Sequence, residues 1–95
     1  MPGISRLTQD TAVGVIQTNT ESISVKVNGK EVVVFGASVL THDPCPVPDT
    51  HCNATMQERS ATVFAHGIGV VRAGDAASCT HTATGSSDTF ADWHK

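Results

Sequence analysis

The chain carries its own repeat. SISVKVNGKEVVVFGASVLTH, from Ser22 to His42, aligns without a gap on SATVFAHGIGVVRAGDAASCT, from Ser60 to Thr80, at an offset of 38 residues. Ser22 falls on Ser60, Val25 on Val63, Asn28-Gly29 on His66-Gly67, Val32-Val33 on Val70-Val71 and Gly36 on Gly74. A short repeated unit buries its apolar face only against its neighbours, so the fold must be built from copies in contact. In each copy two apolar segments flank a tight turn. Asn-Gly is the strongest short-range signal for a type I′ hairpin, and His-Gly is a weaker version because His accepts a positive φ less easily. Ile23, Val25 and Val27 alternate at the strand period of two. Both copies are therefore expected to be β-hairpins.

The two ends of the chain resemble the halves of a third copy. GSSDTFA (85 to 91) follows RSATVFA (59 to 65), and ISRLTQD (4 to 10) follows VVRAGD (70 to 75), with Arg6 on Arg72 and one extra residue before Asp10. If the termini meet, three equivalent walls close a ring, and the pairing removes two free sheet edges. The expectation is one all-β domain spanning 1–95 with pseudo-threefold symmetry.

Such a core is thin. The chain has 95 residues, four aromatics (Phe35, Phe64, Phe90, Trp93) and no Tyr, so valine, alanine and threonine must do the packing. A core of this kind calls for a staple: a disulfide, a metal or a partner. Three cysteines, an odd number, suit thiols or thiolate ligands better than a disulfide framework. The formal charge is −3 and the six basic residues are scattered singly, which argues against nucleic-acid binding. The longest apolar run, Val32 to Phe35, is far too short to span a membrane, and MPGISRLTQD has no apolar core of a signal peptide. Synthesis in a reducing cytoplasm is expected, and the Asn53-Ala54-Thr55 sequon is read as chance.

Seven of the eight Cys and His residues fall between 42 and 81: His42, Cys45, His51, Cys52, His66, Cys79 and His81. Zinc needs four such groups on converging segments. His42 and Cys79 stand at nearly the same repeat position, beyond the hairpin, and so at the same end of neighbouring walls. DPCPVPDTHCNATMQER (43 to 59), with three prolines, reads as a loop leaving and re-entering that end, which brings His51 within reach. The fourth group is His81, Cys45 or Cys52, with His81 preferred. His66 sits at the turn, a strand's length away, and is discounted.

The S-x-x-V-x-x-N/H-G strand and turn, the segment Arg72-Ala73-Gly74-Asp75 and the ligand that follows it resemble the PAAR-repeat proteins, over essentially the whole chain. The resemblance implies a small cone of three hairpin walls, stapled near its vertex by a metal, usually zinc, with iron as an alternative. Three histidines and one cysteine hold that metal. By position, His42 and Cys79 fall in the post-hairpin ligand slots and His51 in the loop slot, and His81 restores the count. The Pro-Ala-Ala-Arg signature itself survives only as Gly69-Val70-Val71-Arg72 and Glu31-Val32-Val33-Val34. The resemblance further implies a non-enzymatic virion protein of the tail baseplate or a type VI-like contractile injection system. One monomer caps the blunt end of a trimeric β-helical spike and meets the target outer membrane transiently, without stable insertion. The hairpin turns, Asn28, Gly29, His66 and Gly67, are the expected contact with the spike. The rival readings are a small zinc-dependent hydrolase with Asp43 or Asp75 as base, and a Cys79–His81 nucleophile pair.

Overall fold

In a computed structural model that describes residues 2–41, 54–87 and 89–91, both repeated turns reverse the chain as their sequences require. Asn28 and Gly29 take φ of 55° and 79°, and His66 and Gly67 take 53° and 80°, the paired positive values of a type I′ turn. Among the described residues every regular element is a strand. They are β1 (Thr11–Ala12), β2 (Gly14–Thr18), β3 (Lys26–Val27), β4 (Lys30–Glu31), β5 (Ser38–Val39), β6 (Phe64–Ala65) and β7 (Ile68–Gly69). All named pairs are antiparallel: β3 with β4, β6 with β7, and β1-β2-β5 as a three-stranded sheet.

The two ends of the chain supply a third pairing of the same kind. Lys26 opposes Glu31, Phe64 opposes Gly69 and, across the termini, Phe90 opposes Gly3. These are equivalent positions of the three copies, and Ala91 N–H donates to Pro2 O at 3.0 Å beside the last of them.

Inside the hairpins the second strands meet one another in a cycle. Arg6 bridges Val32, Val34 bridges Val70, and Ile4 bridges Arg72. Ser5 N–H donates to Val71 O (2.9 Å), Val71 N–H to Val33 O (2.8 Å) and Val33 N–H to Ser5 O (3.0 Å). A second cycle runs alongside: Leu7 to Glu31 (2.8 Å), Phe35 to Gly69 (3.0 Å) and Ala73 to Gly3 (2.7 Å). Ser5, Val33 and Val71 are fully buried, so each amide here would be costly to leave unpaired.

Beyond the cycle each copy turns at a positive φ: Gly36 (87°), Gly74 (89°) and, in the terminal copy, Thr8 (61°). An acceptor side chain then closes the turn. Asp75 Oδ2 accepts Arg72 N–H at 2.7 Å, Asp10 Oδ2 accepts Arg6 N–H at 2.8 Å, and Asn19 Oδ1 accepts Val34 N–H at 3.0 Å. The first two also grip the guanidinium of the same arginine, Arg72 or Arg6. Val34 has no such group, and an uncharged Asn serves.

The buried apolar residues form two clusters. One gathers Ile4, Ile23, Val27, Val32, Val34, Ala65, Val70 and Ala91; the other gathers Ala12, Ile16, Val33, Ala37, Val39, Ala54, Met56, Val71, Ala77, Cys79 and Ala83. Among the described residues neither contains an aromatic ring. Phe35, Phe64 and Phe90 are all exposed.

The first copy departs from the sequence alignment in two ways. Val25 is 46% exposed while Ile23 and Val27 are buried, because the regular strand is only Lys26–Val27 and the alternation does not extend back through Val25. Ser22 is exposed, whereas Ser60 and Ser86 are buried, accepting Val63 N–H (2.9 Å) and Thr89 N–H (3.0 Å) respectively. The cause lies across the strand pair. A Cβ on Gly69 would stand 2.7 Å from Ser60 O, and one on Gly3 would stand 1.8 Å from Ser86 O, so those copies need glycine for the serine segment to approach. The first copy has Glu31 there, the approach is blocked, and the Glu31 carboxylate instead accepts Ile23 N–H at 3.2 Å.

Candidate functional site

Cys79 sits at the tip of a narrow reversal. Ala76 bridges Thr82, Ala77 N–H donates to His81 O (2.9 Å), Thr80 N–H donates to Ala77 O (2.9 Å), and Thr80 takes a φ of 73° to make the bend. The reversal holds Cys79 and His81 on one small unit. Cys79 is a free thiol, 2% exposed, packed into the apolar cluster of Val33 and Val71 and not into the one that holds Val27 and Ala65 beside the turns. His81 is half-buried and its Nε2 is shielded from solvent.

The described residues on either side of positions 42–53 are held by backbone pairing. On the way out, Leu40 N–H donates to Val15 O (2.8 Å); on the way back, Val39 N–H donates to Ala54 O (2.8 Å) and Ser38 bridges Thr55. Thr55 O in turn accepts Ser78 N–H at 2.7 Å, and Met56 bridges Ala77. The described residues that follow the expected loop, Thr55 and Met56, thus lie against the Cys79 reversal, while Leu40 before it lies against β2. His42 and His51, with the alternatives Cys45 and Cys52, lie outside the described residues. Of the four expected ligands Cys79 and His81 share one turn of the backbone, and among the described residues no group of three or more His, Cys, Asp or Glu is placed to hold a metal. A buried thiol and a shielded imidazole are donors of the right chemistry for half of a tetrahedral zinc site.

His66 is committed elsewhere. Its Nε2 lies 3.2 Å from Ser24 N and 2.8 Å from Ser24 Oγ, and so accepts the Ser24 amide hydrogen. Asn28, its counterpart, reaches the terminal copy: Oδ1 accepts from Arg6 Nη1 (2.9 Å) and Ser86 Oγ (3.2 Å). The first residue of each described turn therefore ties its wall to the next. Gly29 and Gly67 face open space. The turn end is accessible, but its two polar side chains already serve the fold.

The terminal copy is fixed by Asp10. Burial works to raise its carboxyl, but hydrogen bonds from the Arg6 side chain, the Thr84 hydroxyl (2.8 Å) and the Arg6 amide, together with the Arg6 charge, outweigh burial and hold it below its ordinary value of 3.8. An open groove of about 660 Å³ is lined by Phe35, Gln57, Glu58, Arg59 and Arg72, none of them a metal-type ligand from the 42–81 cluster. Sequence reasoning passed over the outward residues next to the turns, Lys26, Phe64 and Phe90. Their signal was present in the repeat itself, since Phe64 and Phe90 align and both precede an inward alanine.

Compared with protein-family models and with curated proteins, the chain matches none.

Proposed function

We propose that the chain is a structural spike tip of the PAAR-repeat kind, a pseudo-threefold cone whose hairpin-turn end caps the blunt end of a trimeric β-helical spike in a contractile injection machine. The observation that carries the reading is the double cycle of hydrogen bonds through Ser5, Val33 and Val71 and their neighbours. One polypeptide that repeats its contacts three times about a centre can meet three identical subunits at once. The exposed end of a trimeric β-helix, with its unpaired strand edges, needs a cap of that kind.

At the opposite end, Cys79 and His81, completed by His42 and His51, would hold one metal ion, zinc or iron. A metal there would join the Cys79 reversal to the 42–53 segment and stiffen the end that meets the target envelope. The role is mechanical rather than catalytic, and the site of action is the virion baseplate, with the outer membrane touched and not occupied.

Two measurements test the reading. Titrated against a purified trimeric spike, the chain should saturate at one copy per trimer; three copies per trimer, or none, would remove the proposal. Elemental analysis of untagged protein should return about one zinc or iron per chain. The metal should be lost in Cys79→Ser and in His81→Ala, and retention in His81→Ala would hand the fourth position to Cys45 or Cys52.

A further inference from the structure

Resting on the spike-tip reading, we infer that the walls engage the spike through Lys26, Phe64 and Phe90, and that each of the trimer's three equivalent pockets is apolar in depth with an acidic rim. These residues occupy one repeat position, two before the turn. Strand alternation sends their neighbours Val27, Ala65 and Ala91 into the core, at 7%, 3% and 2% exposure, and sends them outward. Phe64 is 52% and Phe90 42% exposed, and among the described residues neither core cluster contains an aromatic ring.

The exposure is built in. Opposite each Phe across the strand pair stands a glycine, Gly69 or Gly3, which the close serine carbonyls do not allow to be anything larger. The directly opposed residue therefore has no side chain to cover either ring. On the remaining wall Lys26 faces Glu31 instead.

Charge defines the rim. The Arg59 guanidinium lies 5.9 Å from the Phe64 ring centroid, so a cation stands at or beside this position on two of the walls, as Lys26 and as Arg59. On the terminal wall Gly85 aligns with Arg59 and adds none. A symmetric trimer offers the same pocket to all three. A pocket that accepts a phenyl ring and a lysine stem is apolar inside, because four methylenes bury as a ring does while the ammonium emerges at the mouth. Carboxylates at that mouth complement Lys26 and Arg59.

The test titrates the purified trimeric β-helical spike protein encoded in the same genome with four forms of the chain, at low and at high salt. These are the wild type, Phe64→Ser/Phe90→Ser, Phe64→Leu/Phe90→Leu, and Lys26→Gln/Arg59→Gln. Serine should weaken binding by about tenfold or more per ring at both salt concentrations, while leucine should recover most of it. The Gln pair should bind more slowly at low salt and lose the salt dependence. Thermal melting of each free variant separates loss of docking from loss of fold. Wild-type binding at one per trimer that is indifferent to the Phe→Ser pair would overturn this inference and leave the spike-tip reading standing. Salt-independent wild-type binding would overturn the acidic rim. No wild-type binding at either salt would overturn both the inference and the reading. Self-association of the free chain that the Phe→Ser pair abolishes would reassign the surface to a second copy and overturn the inference.

Discussion

Replacing Gly3 with alanine probes the closure of the terminal wall directly. The added Cβ would stand 1.8 Å from Ser86 O, with Ser86 C and N both at 2.8 Å. These are backbone atoms, so no side chain can swing aside. Ordinary C···O contact begins near ~3.3 Å, and the two segments must part by about 1.5 Å. That separation takes two flanking bonds, Ser86 N–H to Ile4 O and Ile4 N–H to Thr89 O, both 2.9 Å, out of range. At about 1 kcal/mol each, plus about 1–3 kcal/mol for overpacking, the substitution costs roughly 3–5 kcal/mol. A chain of 95 residues has on the order of 5–14 kcal/mol in total. The melting temperature should fall by about 12–40 °C. Gly29→Ala is the control: its φ is 79° but nothing lies within 4 Å, so only the backbone strain of about 1–2 kcal/mol applies. Calorimetry compares the two, and amide exchange at Ile4 and Ser86 locates the damage. If Gly3→Ala melts no lower than Gly29→Ala and keeps those amides protected, the termini are not part of the closed ring.

Asp75→Ala should cost about 3–5 kcal/mol in denaturant melts, because it strands the buried Arg72 guanidinium, whose partner side chain is 0% exposed. The same change at Asp10 should cost less, since Arg6 remains 16% exposed to water. Asp10 also sets an acid limb. Its folded carboxyl is held below the ordinary 3.8, so its contribution is fully present above that value and is lost as pH falls through the lower folded one. Asp10→Asn should accordingly flatten the dependence of stability on pH below about 4, and an unchanged acid limb would refute the assignment. Asn28→Gly keeps a residue suited to positive φ but deletes the acceptor for Arg6 and Ser86, and should cost about 1 kcal/mol in thermal melts. A chelator should lower the melting temperature of the wild type and leave Cys79→Ser unmoved.

What the sequence made legible was whatever the repeat encodes locally. Asn28-Gly29 and His66-Gly67 announce positive φ through their residue types, and Phe90 on Phe64 with Arg6 on Arg72 foretold that the termini pair. Illegible were the places where one copy is deformed by a contact far away in sequence. Nothing in Ser22 reveals that Glu31, across the strand, denies it the seat that Ser60 and Ser86 occupy. The turn between β1 and β2 was hidden for a different reason. It pivots on Val13 at a φ of 68°, and a β-branched residue in an apolar stretch reads as strand, not as turn. Asn19 was overlooked because the charge that marks Asp10 and Asp75 is absent there, although the amide it accepts is equivalent. The cluster of His and Cys types pointed to one end of the repeats; His42, Cys45, His51 and Cys52 fall outside the described residues, and of that end the structure describes the Cys79 reversal and the Thr55 backbone that pairs with Ser78.

The cycle also bears on how the chain reaches its native state. The Ser5 hydroxyl donates to Thr84 O, 79 residues away in sequence, and Thr84 reaches back to Asp10 across 74. Two of the hairpins are local and can form early, in microseconds. The third has no local existence, because its strands are joined only by everything in between. Each hairpin formed first presents a strand whose cyclic partner is still missing. The ring therefore has one slow, entropically costly event, the arrival of the chain's last strand at its first, and until then the molecule displays open edges to any neighbouring copy.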